Sequence, residues 1–415
     1  MKSSLPLKNR SIRIKKIGLI ICAFVLLSQI TSAQTAKTGV LIIGNGSAAL
    51  AAGIQSAMSG AKTTLLIQAP EFVLAPLEQN IHSGLEAEFL QKMRKAKGIK
   101  DAESPVYLDQ TSANAVVKRW TDSVKNLTLI SNIKWSRIKR SGGGWNVLLS
   151  NGKAIKAVVL VNADQSGNVG AAIGLPVAPV TRWHPFSYAD DVYKNSIASG
   201  AYDVGTAVNY ALLKDFQVEG QENLLHVNTR SESMIAGQAV GAAAAYAAFY
   251  DTKTSKVNLK MTQAELIKFR LSLVPFIDVS NVDSNWVAIQ FVGLSGFLKG
   301  EVVNGKLRFL PEQKVTTAEI RDMVKAYYYK AQIWFDDYKA EGMTIQSTLS
   351  LVCFVGNKSP EHTQAEVLKK WTKDYGFKSD FDLKRMISRR EFAVLVNAYL
   401  KPFDVNIDAS GRVIR

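Results

Sequence analysis

The chain has 415 residues, 47% hydrophobic and 21% charged. With a mean hydropathy of +0.01, it is too apolar for a disordered chain and too mixed for a multi-span membrane protein. The formal charge of +16 raises nucleic acid and membrane surfaces as partners, while two cysteines and four histidines exclude a disulfide scaffold and a cysteine-built metal cage.

The amino terminus has the form of an export signal. Lys2, Lys8, Arg10, Arg13, Lys15 and Lys16 precede an apolar run, Ile17 to Ile30, which ends in Thr31-Ser32-Ala33. A basic start, an apolar stretch and a small-x-small end predict a secretory signal peptide, residues 1–33, cut after Ala33. The run falls short of the roughly 18 residues that span a bilayer; an uncleaved anchor is the alternative. The expected location is periplasmic or secreted. Loss of the segment removes six positive charges and Cys22, leaving a net charge of about +10 and one cysteine, Cys353. Its apolar setting, LSLVCFVG, predicts an inert core thiol.

Thr38 to Ile43 reads as a buried strand, and Gly44-Asn45-Gly46-Ser47-Ala48-Ala49 follows at once. A small-residue helix runs from Ala48 to Ser59, and a second strand from Thr63 to Ile67 ends at Gln68. Strand, glycine turn, helix and strand are the parts of a dinucleotide-binding unit. Gly44 permits the turn, Gly46 lets backbone approach a pyrophosphate, and Ala49 lets the helix lie close on the sheet. The helix start presents amides to the phosphates. Gln68 stands where an acidic residue normally takes the ribose hydroxyls, so that contact loses its charge.

Asn126 to Ile138 reads as a strand, followed by a turn at Gly142 to Gly144, a strand from Trp145 to Ser150, the hairpin turn Asn151-Gly152, and a strand from Ala157 to Asn162. Ala163-Asp164-Gln165-Ser166-Gly167 closes this meander. Later come Asn223 to Asn228, then Gly237-Gln238-Ala239-Val240-Gly241 and an alanine-rich run to Phe249.

On these segments the chain resembles the bacterial FAD-dependent oxidoreductase family with a glutathione-reductase-type flavin fold and S-layer-homology-like carboxy-terminal repeats. The resemblance implies an α/β, Rossmann-like FAD/NAD(P)-binding domain over 34–260. It implies a shortened substrate cap at about 176–222, and an all-α repeat module over 261–415. It implies FAD held without a covalent bond by Gly44, Gly46, Ser47, Ala48, Ala49, Gln68, Asp164, Gly237, Gln238 and Gly241. The chain departs from the family at Gln68, and Pro70 to Gly84 lacks the family's glycine-rich segment. The flavin would carry the redox chemistry, with the protein supplying an acid or base. Candidates for that role are His184, Tyr188 and His82, with Arg182, Asp190 and His226 nearby in the sequence. A surface or structural role is the ordinary alternative for each histidine. No metal site is expected.

From Met261 the pattern turns helical. A helix from Gln263 to Leu271 has Thr262 as its cap, and another spans Asn285 to Lys299. Val315-Thr316-Thr317-Ala318-Glu319 and Ile387-Ser388-Arg389-Arg390-Glu391 are matching capping boxes, and they resemble the helix-start box of the S-layer-homology repeat. The module reads first as a packing unit. Contact with anionic cell-envelope polymer through Arg389 and Arg390 is the alternative that the resemblance implies. Other expected partners are a small-molecule substrate and no nucleic acid; the oligomeric state is not legible. Two functions stay open: an exported FAD-dependent oxidoreductase, or a cofactor-free descendant of that fold acting as an envelope binding or structural protein.

Overall fold

Five parallel strands carry the amino-terminal half of the computed structural model, which describes residues 35–76, 82–101, 104–175, 181–200, 208–228 and 233–414. The expected signal peptide and residues 176–180 and 201–207 of the expected cap lie outside these ranges. The chain runs β1 (Thr35–Ile43), α1 (Ser47–Met58), β2 (Thr63–Leu66), α2 (Gly84–Lys97), α3 (Gln110–Ser123) and β3 (Leu127–Ile130). Then come β4 (Trp135–Ser141), β5 (Gly144–Leu149), β6 (Ala154–Asn162) and the short α4 (Asn168–Ala172). Next are β7 (His184–Pro185), β8 (Ser196–Gly200), β9 (Asn209–Leu212), β10 (Gln217–Val218), β11 (Gln221–His226) and α5 (Met234–Phe249).

The main sheet has the order β10-β11-β6-β1-β2-β3. Strands β11, β6, β1, β2 and β3 are mutually parallel. β4 and β5 form the antiparallel meander that leads into β6. This is a Rossmann-like α/β arrangement with a meander crossover. The single strand expected over Asn126 to Ile138 is two. β3 joins the parallel sheet and β4 the meander, and Asn132, with φ +57°, turns the chain between them.

Two apolar layers hold the sheet. Val40, Ile42, Val159 and Val161 face α1 and α5. Leu41, Ile43 and Leu160 face the other way, onto Ile138, Trp145, Val147 and Ile155 of the meander. The alternation follows from side chains pointing to opposite faces along a strand. The described part of the cap, 181–200 and 208–222, includes a small antiparallel sheet of order β7-β9-β8.

The carboxy-terminal part contains α6 (Leu259–Lys268), α7 (Trp286–Ser295), a hairpin of β12 (Glu301–Val303) and β13 (Lys306–Arg308), α8 (Thr317–Tyr327) and α9 (Tyr329–Asp337). It ends with α10 (Ile345–Gly356), α11 (Pro360–Lys370) and α12 (Arg389–Tyr399). The hairpin corrects the all-α expectation: Asn304-Gly305, both at positive φ, makes the tight turn that reverses the strands. α6 starts earlier than expected. Its cap is Asn258, whose side chain accepts from the Met261 amide at 3.0 Å, and Thr262 lies inside the helix.

Three helix starts, not two, share one design. Thr316, Thr344 and Ser388 each close a box with the residue three positions on, namely Glu319, Ser347 and Glu391. The residues before them form a closed ring of backbone hydrogen bonds. Val315 donates to Ile387 (3.1 Å), Ile387 to Met343 (2.9 Å) and Met343 to Val315 (2.9 Å). One continuous set of buried apolar side chains runs from Val40 to Phe403, so these helices share a core with the α/β part. Cys353 is buried in it, as expected.

Candidate functional site

Strand order reverses between β1 and β6, and in open α/β sheets ligands bind beyond the carboxyl ends of the strands at such a point. Here those ends are Gly44 and Ala163. A Cβ on Gly44 would overlap the Ala163 carbonyl, so only glycine fits the turn. Gly46 then caps α1 without a side chain, and the buried Ser47, Ala48 and Ala49 form its first turn. The helix start therefore faces the crevice with its positive end.

One side of the turn is occupied by the chain's own strap, Phe72 to Ala75. The Val73 amide donates to the Asn45 carbonyl (2.8 Å) and the Ala75 amide to Ser47 Oγ (3.0 Å). On its outer side two amide side chains from α3 clasp it. Gln110 bonds both the amide and the carbonyl of Leu74 (3.1 and 2.8 Å), and Asn114 does the same for Phe72 (3.0 and 3.0 Å). The i, i+4 spacing places both clasps on one helix face.

The remaining expected cofactor residues divide. Gln68 stands half buried two residues beyond the end of β2. At the end of β6, the wholly buried Asn162 accepts the Asp164 amide through Oδ1 (3.1 Å), while its Nδ2 has no hydrogen-bond partner among the described residues. That unpaired donor suits a polar ligand atom. The Asp164 carboxylate is engaged locally. It accepts from the Ser166 amide and hydroxyl and from the Val169 amide, which caps α4.

Gly237, Gln238 and Gly241 do a different job from the one expected. Gly237 and Gly241 lie against the backbone of α1 at Ala48 and Ala52. Their bare faces let the two helices touch. Gln238 accepts the Leu85 amide (2.8 Å) and donates to Gln55 (2.9 Å), both inside the protein. At the switch point the chain thus places Gly44 to Ser47 and Asn162, whose small residues and unpaired donor fit a dinucleotide, while Gly237, Gln238 and Gly241 are engaged with α1 and α2.

Among the acid–base candidates, His184 has a defined partner. Its Nε2 lies 2.8 Å from Asp215 Oδ2, and its ring stacks on Tyr210. Asp215 also accepts the Leu212 amide, which fixes the carboxylate. A carboxylate-held imidazole can take up or release a proton. Asp215 had no sequence signal; it lies 31 residues away and meets His184 only through β9. Tyr188 is a poor acid: burial raises its pKa, and its oxygen accepts the Gly300 amide at 2.8 Å. His82 Nδ1 sits 3.4 Å from Glu86 at the start of α2. Arg182 and Asp190 are exposed, and His226 is buried in β11. Among the described residues no group of three or more His, Cys, Asp or Glu side chains could hold a metal ion.

Arg389 and Arg390 are bound internally. Arg389 is buried and bonds the carbonyls of Phe309 (2.8 Å) and Lys299 (2.6 Å) and the Glu319 carboxylate. Arg390 pairs with Asp283 (2.6 Å) and Glu312 (2.8 Å). Both guanidiniums thus have carboxylate partners within the chain.

Fold and crevice together define a Rossmann-like α/β protein. No family model matches the chain, and no curated protein matches it. Solved structures do. L-proline dehydrogenase from P. horikoshii is 17% identical over 31% of this chain and 23% of that one, with a TM-score of 0.21. The p-nitrophenol 4-monooxygenase PnpA from Pseudomonas putida is 11% identical over 57% and 81%, with a TM-score of 0.30. OTEMO in complex with FAD and NADP is 17% identical over 30% and 25%, with a TM-score of 0.22. The chain thus spans about a quarter of the first and last of these proteins. At these scores the fold rests on the strand order and the glycine turn.

Proposed function

We propose that the chain is an exported FAD-dependent oxidoreductase acting on a small molecule. The observation that carries this reading is the placement of the Gly44–Ser47 turn at the switch point of a parallel sheet with a meander crossover. FAD would supply the electron transfer. Gly44 and Gly46 would admit its pyrophosphate, the start of α1 would face the phosphates, and the Asn162 amide would donate to a polar cofactor atom. His184, oriented by Asp215, would move the proton that accompanies reduction or oxidation of substrate entering under the cap. Export rests on residues 1–33 alone. The carboxy-terminal helices are read as an S-layer-homology-like module, supported by the ring through Val315, Met343 and Ile387.

The test is the visible spectrum of the purified chain, with thermal melting in added FAD. A yellow protein, or a melting temperature raised by FAD, supports the reading, since a ligand specific to the native state must stabilise it. A colourless chain unmoved by excess FAD sinks it. That outcome favours the second reading, a cofactor-free envelope protein, which draws support from neutral Gln68 and from the Gly237 segment packing on α1.

A further inference from the structure

We propose that the outer face of the meander docks on an anionic lipid surface. The inference is independent of the cofactor. Lys139 of β4 pairs in register with Asn146 of β5, Asn146 with Lys156 of β6, and Lys156 with Lys37 of β1. Residues in register project from the same face. The four strands therefore present three lysines in one row. All three are exposed, and none forms an ion pair among the described residues. Like charges side by side oppose folding, so Lys156 beside Lys37 is a cost that an anionic partner would relieve.

This face is the one opposite the meander's buried layer of Ile138, Trp145, Val147 and Ile155. It is also the face that α5 covers further along. The Gly39 and Val40 amides both donate to the Lys62 carbonyl, a bulge that breaks the alternation, so Gly39, two residues from Lys37 and on its side, also faces α5: a Cβ there would stand 3.3 Å from Ala248 Cβ. Directly after Ala248 the helix ends in Phe249 and Tyr250, which are 65% and 51% exposed. Their rings lie 5.1 Å apart, and Tyr246 joins them at 4.6 Å from Tyr250. A cationic row is thus bordered by an exposed aromatic group.

The shape selects the partner. A sheet face with cations in line and aromatics at one rim matches a bilayer surface. There the headgroups neutralise the lysines and the rings settle at the interface.

The test is co-sedimentation of the full chain with vesicles of phosphatidylcholine, with and without one-third phosphatidylglycerol, at low and high salt. The apolar run and the basic residues before it are common to wild type and variants, so the loss in the triple variant isolates this face. The wild type should prefer them, and lose that preference in high salt. Lys37→Glu/Lys139→Glu/Lys156→Glu should lower affinity for them by about a hundredfold or more, at roughly fivefold per lysine. The milder Lys37→Gln/Lys139→Gln/Lys156→Gln serves if the reversal fails to fold. Phe249→Ser/Tyr250→Ser should weaken binding while keeping the salt dependence. Equal binding to both vesicles, or unchanged preference in a folded triple variant, overturns the proposal. So does binding to dextran sulfate without binding to vesicles, which would mark a soluble polyanion as the partner.

Discussion

Gly237 of α5 rests its bare α-carbon on the backbone of Ala48 in α1, so closely that a methyl group there would overlap the Ala48 carbonyl. One turn on, a Cβ on Gly241 would stand 2.6 Å from the Ala52 carbonyl. Ser56 Oγ donates to the Gly241 carbonyl at 2.8 Å and fastens the same seam. The GQAVG segment is therefore a helix-packing device, and α1, which begins at the glycine turn, is held in place by it.

Gly237→Ala and Gly241→Ala should each destabilise the fold by about 3 kcal/mol, because backbone cannot give way as a side chain can. Gly143, where an added methyl would meet nothing within 4 Å, is the control, and Gly143→Ala should stay within about 0.5 kcal/mol. Urea denaturation measures both. A neutral Gly237→Ala would show that α1 and α5 are further apart.

The strap depends on two amide clasps. Gln110→Ala/Asn114→Ala should leave the four backbone groups of Phe72 and Leu74 without their partners. Hydrogen exchange at the Phe72 and Leu74 amides should rise sharply, with the core strands β1 and β6 unchanged. Protection that persists at both amides would mean the strap is held by something other than α3.

Lys260 makes stability depend on pH. Burial, and then the neighbouring Lys194, depress its pKa to about 8, against a weaker opposing pull from Asp404. Its ammonium lies over the Phe403 ring. Between pH 8 and the ordinary lysine range the unfolded chain binds the proton that the folded chain has released, so stability rises with pH there. Lys260→Met should be more stable than wild type at pH 7. That advantage should shrink as pH climbs from 8 toward 9.5, below the titration of the tyrosines. Parallel melting curves for the two proteins across this window would contradict the assignment.

Arg389 distinguishes a structural from a ligand-gripping residue. Arg389→Ala removes three internal bonds and deprives Glu319 Oε2 and the Phe309 and Lys299 carbonyls of their guanidinium donor, while Glu319 Oε1 keeps the Thr316 amide. A loss of about 3 kcal/mol is expected, the scale for breaking a buried pair on one side. A variant with wild-type melting would return Arg389 to the surface.

Much of the fold was legible because its signals are local. A glycine turn between a buried strand and a small-residue helix marks β1 and α1, since each glycine answers a steric need of the turn itself. The boxes at Thr316 and Ser388 were readable because a capping box lies within four residues. The third start, at Thr344, is harder to see because Ser347 stands where its counterparts have Glu. The β12–β13 hairpin is short and sits among helices, which masks it although Asn304-Gly305 is a strong turn signal.

Partnerships across the chain were not legible in this way. GQAVG has the same composition whether it frames a flavin or packs on a helix, and only the approach of α1 separates the two. Asp215 becomes the partner of His184 through strand pairing, and Arg389 is enclosed by a hairpin some 80 residues away in sequence. The row of Lys37, Lys139 and Lys156 exists only once register is set. The sequence by itself determined the strand–turn–helix core and the caps, because those depend on neighbours a few residues apart. Tertiary structure alone decided which glycines, acids and lysines face one another, because packing and register bring distant side chains together.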